Sequence, residues 1–408
     1  MSIFPKANTS LSVLYNRELT FFLLARVSNI VAYQILSVAV GWQIYALTGS
    51  AFSLGLIGLA QFLPLFLLTL IAGQAADRYN RRVITYICQF LQGVGGLALA
   101  LGTFSGWVSE GKLIGIIFLL GAVRAFDRPT MQALMPALVP AEIFPQAVAV
   151  ASSLTQAATI IGPAMGGLLY IYGASFAYLL VSVLFILAGI LVVFLGFRQT
   201  SAKSQPVSMS SLFAGIHFIR SNQAVLGAIS LDLFAVLLGG ATAMLPIYAK
   251  EILSIGPAGL GMLRSAPAVG AVVMSAYLAH RPLKRRVGKV MFYAVIVFGF
   301  ATMVFALSTS FWISLAALII LGAADVISVV IRSSLVQLKT PDEMRGRVSA
   351  VNSMFIGTSN QLGEFESGIT AAWFGVVPAV FLGGIGTICV VLAWMKLFPE
   401  LVQVDSLE

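Results

Sequence analysis

Residues 73–82 read GQAADRYNRR, a short charged knot between two apolar runs, Leu54–Ala72 and Val83–Phe104. A spanning helix needs about 20 mostly apolar residues. The knot is too short to cross hydrocarbon and too charged to lie in it. It therefore marks a tight turn at a membrane face, with a helix entering and a helix leaving.

The rest of the chain repeats that alternation. Of 408 residues, 59% are hydrophobic and 10% charged, against about 25% charged in soluble domains, and the mean hydropathy is +0.98. Apolar runs fall at 19–46, 51–76, 83–105, 112–139, 147–171, 174–197, 223–249, 257–281, 287–309, 311–338, 348–374 and 376–398. Backbone groups in hydrocarbon must be satisfied internally, so continuous runs become helices, whereas a barrel would show short alternating segments. The expectation is an all-α membrane protein of twelve transmembrane helices. The first run is too long for a signal core. Cys88 and Cys389 lie inside apolar runs, which argues for packing rather than a disulfide.

The net charge of +9 does not point to nucleic acid, because the excess sits in short loops. With the amino terminus placed in the cytoplasm, seventeen Lys and Arg fall in cytoplasmic segments and two, Lys112 and Lys250, outside. The positive-inside rule then puts both termini in the cytoplasm.

The longest polar stretch, Arg198–Gln223, ends in a short amphipathic piece, Leu212–Ile219. It divides the chain into an amino-terminal six-helix bundle (1–197), a cytoplasmic linker with an interfacial helix (198–222) and a carboxy-terminal six-helix bundle (223–408). The halves read as repeats. Pro140 and Glu142 recur as Pro341 and Glu343, and Gly162 as Gly363, 201 positions on; Leu54-Gly55 recurs as Leu260-Gly261 at offset 206, and Arg81-Arg82 as Arg285-Arg286 at offset 204.

Five arginines and five acids lie inside the runs: Arg26, Arg124, Arg128, Arg264 and Arg332, with Asp127, Asp232, Asp325, Glu364 and Glu366. Each costs roughly 2.5–3.5 kcal/mol at a helix centre, so they must face protein or a wet cavity. Arg124, Asp127 and Arg128 share a helix face by their i, i+3, i+4 spacing. The repeat offsets set Arg26 opposite Asp232 and Arg124 opposite Asp325. Arg26, Arg124, Asp127, Arg128, Asp232, Asp325 and Arg332 are thus candidates for a central path that binds a polar, anionic substrate; the bland alternative is structural ion pairing. Buried carboxylates also carry protons, which makes Asp127, Asp232, Asp325, Glu364 and Glu366 coupling candidates. Between its arginines Asp127 reads as a locked pair, leaving Glu364 and Glu366 freer. Trp42, Tyr33, Tyr45 and Gln34 are weaker substrate contacts. Gly162, Pro163, Gly166 and Gly167 allow close approach and bending of the fifth helix. His217 and His280 have no metal-ligand company. No phosphate loop or nucleophile constellation occurs, so an enzyme is not expected.

With these residues in hand, Gly73, Asp77, Arg78, Arg81 and Arg82 resemble the signature loop of the major facilitator superfamily. LTGSAFSLG (47–55), RAFDRPTMQALMPALVP (124–140), IIGPAMGGLL (160–169), DLFAVLLGGATAMLPIYA (232–249) and MRGRVSAV (344–351) are similar to its enterobactin-exporter branch and the multidrug and macrolide efflux relatives. The resemblance implies alternating access, with a site where helices one, four, seven and ten meet. It implies that Asp77 latches onto the amino end of helix eleven, near Arg347–Val348, where the helix dipole favours an acid. It also links the helix-five motif Gly162–Gly167 to exporters. The second-half loop, HRPLKRR, has Arg281 where the offset expects the acid, so one latch is implied. Helix one offers Arg26 rather than the acid many relatives carry.

The expectation is a monomeric secondary transporter in a bacterial inner membrane. It needs no cofactor and no nucleic acid, draws on the proton gradient, and exports a siderophore-like or other amphipathic small molecule. The alternatives are a multidrug antiporter for lipophilic cations and a non-transporting receptor or scaffold.

Overall fold

The structure, a computed structural model, describes residues 16–196, 209–283 and 285–406. Among these residues the secondary structure is helical throughout. The first half holds α1 (Arg17–Thr48), α2 (Ala51–Arg78), α3 (Arg81–Phe104), α4 (Glu110–Leu134), α5 (Phe144–Tyr170) and α6 (Ala174–Val193). After α7 (Met209–Ser221) come α8 (Gln223–Leu238), α9 (Leu245–Ile247), α10 (Gly256–His280), α11 (Val287–Leu307), α12 (Phe311–Lys339), α13 (Asp342–Phe374), α14 (Val376–Leu397) and the single turn α15 (Pro399–Val402).

The charged knot owes its tightness to capping. α2 stops at Arg78, and the Asn80 side chain accepts from the backbone N–H groups of Arg82 and Val83 to start α3 two residues later. A helix start leaves N–H groups without intrahelical partners, and a short polar side chain supplies them. Asn16 does the same for α1, Ser50 for α2 and Asn222 for α8.

Ten helices are long and apolar enough to cross a membrane, with Gln223–Ile252 taken as one. The other two long helices, α4 and α13, bring the total to the expected twelve. α4 carries Arg124, Asp127 and Arg128, and α13 is rich in polar residues, among them Asn360, Gln361, Glu364 and Glu366. They can afford this because other helices cover them: α4 packs on α2 and α3, and α13 on α2 and α8.

The seventh run, expected to be continuous over 223–249, is broken. α8 ends at Leu238, followed by Gly239 and Gly240, a 3-10 turn (Ala241–Met244), α9 and a π turn (Tyr248–Ile252). A Cβ at Gly240 would lie 2.6 Å from Ser367 Oγ and 2.7 Å from the Gly363 carbonyl oxygen, so the break lets this backbone lie directly on α13.

Within the first half α1 packs on α5 and α6, α2 on α4, and α3 on α6; within the second, α8 packs on α13 and α14, α10 on α12, and α11 on α12 and α14. The halves meet along two seams, α2 on α13 and α5 on α10. Each seam is a close glycine approach: Gly55 faces Gly368 and Gly167 faces Gly261. Offset 206 carries Gly55 to Gly261, and offset 201 carries Gly167 to Gly368. The two seams are therefore one contact repeated about a pseudo-two-fold axis. Inside the bundles the same offsets relate Gly162 on Gln34 to Gly363 on Gly240. Side chains of one methyl or none let helices approach closely where no hydrophobic force drives them together.

Of the expected linker, residues 198–208 lie outside the described residues. α7 packs on α13, with Gly215 against the Arg347 carbonyl and Val351.

Candidate functional site

Both seams lie in one half of the molecule, away from the face where α1 starts and α14 ends. That face carries most of the loop arginines and is called the basic face below. The opposite half is closed by Gly55 on Gly368, Gly58 on Glu364, and Gly167 on Gly261 and Pro257. A hydrogen bond from the Tyr45 hydroxyl to Glu251 reinforces the closure, and Lys250 Nζ sits 5.1 Å from the Tyr45 ring centroid. Toward the basic face α2 and α13 part. Between them and α4 opens a cleft of about 370 Å3, lined by Phe62, Phe66, Thr69, Arg128, Gln132 and Met354, among others. The glycines there, Gly73 and Gly357, face open space.

The first-half charges are arranged around Asp127. It is buried, and its carboxylate accepts from Asn29 Nδ2 at 3.0 Å and Gln89 Nε2 at 2.9 Å. The expected arginine pairing does not occur: amides hold Asp127, and its neighbours on the α4 face turn elsewhere. Arg124 stacks on Tyr33, with Cζ 3.1 Å from the ring centroid. Arg128 is exposed in the cleft. Arg26 donates from Nε to Thr155 Oγ1 at 3.2 Å, tying α1 to α5.

In the second half Asp232 and Arg332 form a buried ion pair between α8 and α12. Arg26 and Asp232 therefore do not face each other; each is satisfied within its own bundle. Asp325 lies two turns before Arg332 on α12 and lines a small hollow with Asp232, Val236, Val295, Phe298 and Ser328. No hydrogen-bond or ion-pair partner is found for Asp325 among the described residues, and the Ser328 hydroxyl is buried without one. Offset 201 makes Asp325 the counterpart of Arg124 in position, not its contact.

The remaining charges lie at the closed half. Arg264 of α10 donates to the Ser37 carbonyl of α1 at 2.9 Å, and Glu364 of α13 packs on Gly58 of α2. Both reach from one bundle onto the other and feel each other's charge. Glu366 instead accepts from Thr370 Oγ1 at 2.7 Å on its own helix.

The motif residues divide by role. Arg81 donates to the carbonyls of Ala76 and Ala133, and Arg82 to that of Val193, all within the first half. Arg78 is exposed. The Asp77 side chain lies outside the described residues. The implied target of the latch moves, because α13 begins at Asp342, not near Arg347–Val348; Pro341 sets the helix start there. In α5, Gly162 and Gly166 seat the helix on Gln34 and Ile35 of α1, and Gly167 seats it on α10. Pro163 continues that seam, its carbonyl facing Gly261.

Sequence reasoning passed over the buried and half-buried amides. Gln61, Gln89, Gln92, Gln361 and Asn29 line or brace this centre. Their signal was present: polar amides inside apolar runs, with Gln89 and Gln92 three apart on one helix face.

Two six-helix units joined by pseudo-symmetric seams, with a cleft between them, define a membrane transporter of the major facilitator type. A family model described as transmembrane secretion effector matches residues 9–407, and the chain belongs to that major facilitator family. It is 28% identical over 393 residues to the enterobactin exporter EntS of Citrobacter koseri, covering 93% of this chain and 91% of that protein. To the Escherichia coli enterobactin exporter it is 26% identical over 391 residues, with the same coverage. Among solved structures, a mutant of the nucleoside transporter NupG superposes with a TM-score of 0.76 at 13% identity, covering 94% of this chain and all of that one. A bacterial homologue of the iron transporter ferroportin in an inward-facing state gives 0.70 at 16% identity, covering 95% and 99%. At these identities the structural likeness speaks for the fold. The chain is a multi-pass membrane transporter, and its relatives are transporters rather than enzymes.

Proposed function

We propose that the protein is a proton-coupled exporter of a bacterial inner membrane that moves a siderophore-like or other amphipathic small molecule by alternating access. The observation that carries this reading is the asymmetric cleft. Among the described residues the two units meet chiefly along glycine seams in one half, and enclose a space lined by Phe, Met, Thr and Arg in the other. Rocking about the seams would close the basic face and open the opposite one. The excess of Lys and Arg at the basic face supports a cytoplasmic position for it and for both termini. The cleft then stands inward-open, the loading state of an exporter. Likeness to enterobactin exporters supports export and the cargo class.

Each elementary charge crossing the membrane potential supplies about 2.3 kcal/mol per 100 mV. The coupling carboxylates are sought among those the arginines leave spare. Asp325 has no partner among the described residues, and Glu364 sits on the seam itself, where its charge state bears on closure. Asp127 and Asp232 are the weaker candidates, because amides or Arg332 already satisfy them. Asp77 and Arg78 serve as the latch that holds the basic face shut in the other state. A single chain supplies both walls of the cleft and acts as a monomer.

The test is uptake into inverted vesicles under an imposed pH gradient, against a panel of iron chelators and cationic dyes. Chelator uptake that a protonophore abolishes is the expected result. Movement of dyes alone would replace this reading with multidrug antiport. No flux of any probe would favour a receptor or scaffold. Membrane-impermeant labelling of Lys112→Cys and Lys339→Cys from either side checks the orientation.

A further inference from the structure

The cleft does not end bluntly. Along the α2–α13 seam, facing residues step from Thr69 and Met354 at the mouth to Gln61 and Gln361, and then to Gly58 and Glu364 where the halves close. At the Gln61 level lies a small chamber of about 20 Å3, room for roughly one water. Tyr33, Gln61, Gln92 and Arg124 supply its polar walls from the first bundle, and Gln361 supplies one from the second.

Three observations make this chamber a built site. The Arg124 Nη1 is buried and has no hydrogen-bond partner. Its stem is fixed, because the guanidinium lies flat on Tyr33, whose hydroxyl donates to Gln61 Oε1 at 2.7 Å. The acid one turn away, Asp127, spends its hydrogen bonds on Asn29 and Gln89, so it acts on Arg124 through its charge and gives Nη1 no acceptor. A buried guanidinium nitrogen without an acceptor is costly, and an anionic oxygen would supply a charge-assisted hydrogen bond. The other acid nearby, Glu364, lies one turn outward from Gln361 and faces Gly58 and the charge of Arg264.

We propose that this chamber is an anion subsite. It receives one oxygen of a carboxylate or similar anionic end of the cargo beside Arg124, while an aromatic or apolar body lies in the cleft against Phe62, Leu65 and Phe66. The proposal rests on the transporter reading for the word cargo, but the binding itself does not depend on flux. Because Gln361 belongs to the opposite bundle and sits one turn from the Gly58–Glu364 contact, an occupant touches both halves beside the closed seam. Tyr33 and Gln61 are positioning residues: they hold the guanidinium flat beside the chamber.

The experiment uses purified full-length protein and three isosteric probes: benzoate, benzamide and benzamidine. Each is titrated by calorimetry, with the thermal shift read in parallel. Benzoate is expected to bind and stabilise, benzamide about tenfold more weakly, and benzamidine not at all. Arg124→Gln abolishes benzoate binding, and Arg124→Lys restores part of it. Gln361→Glu sets a like charge across the chamber from the other bundle and weakens benzoate by roughly tenfold or more; it also decides the matter should Arg124→Gln fail to fold. Benzamidine binding as tightly as benzoate, or benzoate affinity unchanged in Gln361→Glu, overturns the proposal. Benzoate binding without vesicle flux leaves the subsite standing and removes the transporter reading. Flux that benzoate does not inhibit, with no benzoate binding, does the reverse.

Discussion

The two bundles are built to one plan and charged to opposite plans. Around Arg124 the first bundle satisfies its acid with amides, so its arginines stay uncommitted: Arg124 on Tyr33, Arg128 in the cleft, Arg26 on a threonine hydroxyl. Around Asp325, the equivalent position, the second bundle satisfies one acid with Arg332, so a carboxylate stays uncommitted. Each half thus satisfies one buried charge internally and leaves a charge of the other sign beside a hollow. The difference teaches that duplication preserves where a polar side chain sits while leaving its sign free. One half can then recognise an anion while the other handles a cation such as a proton.

Breaking the pair in the second bundle should give the largest effect. Arg332→Met leaves Asp232 buried without its cation and is expected to cost about 3–5 kcal/mol of stability. The double change Arg332→Met with Asp232→Leu should recover most of it, read by thermal unfolding in detergent. A neutral single substitution would mean that this half does not depend on its pair. The seam that joins the halves comes next. A Cβ at Gly167 would lie 2.3 Å from the Pro257 carbonyl oxygen, so Gly167→Val overpacks the closed half by about 1–3 kcal/mol. Vesicle transport should fall while the amount of folded protein in the membrane holds. Wild-type flux from this variant would show that the seam need not close.

The first bundle should be more forgiving. Asp127→Asn removes a charge held only by amides, and Gln89 has a buried oxygen with no partner that a flipped amide can use. The expected loss is about 1 kcal/mol, well below that of Arg332→Met. If the two prove equal, the contrast between the bundles fails. The smallest effect tests the strap across the halves. Tyr45→Phe deletes the bond to Glu251 at a cost of about 0.5–1.5 kcal/mol, seen as a modest drop in melting temperature and easier labelling of a cysteine placed on the closed half.

Much of the architecture was legible because lipid imposes it. Hydrocarbon thickness sets run length, unpaired backbone is forbidden, and glycine periodicity marks close approach; the offsets that matched Gly55 to Gly261 proved to relate two real seams. The helices α4 and α13 were legible as apolar runs despite their charges, although by composition they fall short of the other spanning helices. The break at Gly239-Gly240 was hidden because a run of apolar letters looks the same whether its helix continues or turns.

The chain's letters alone determined the membrane, the helix count, the internal duplication and the depth at which each charge lies, because each follows from length, hydropathy and spacing along one axis. The tertiary structure alone decided which charges are spent and which are spare. Pairing depends on how each helix is rotated about its own axis and which neighbour it faces, and that is fixed by packing between elements far apart in sequence. Asp232 therefore found Arg332 rather than Arg26, Asp127 found amides rather than arginine, and Arg124 was left beside a hollow.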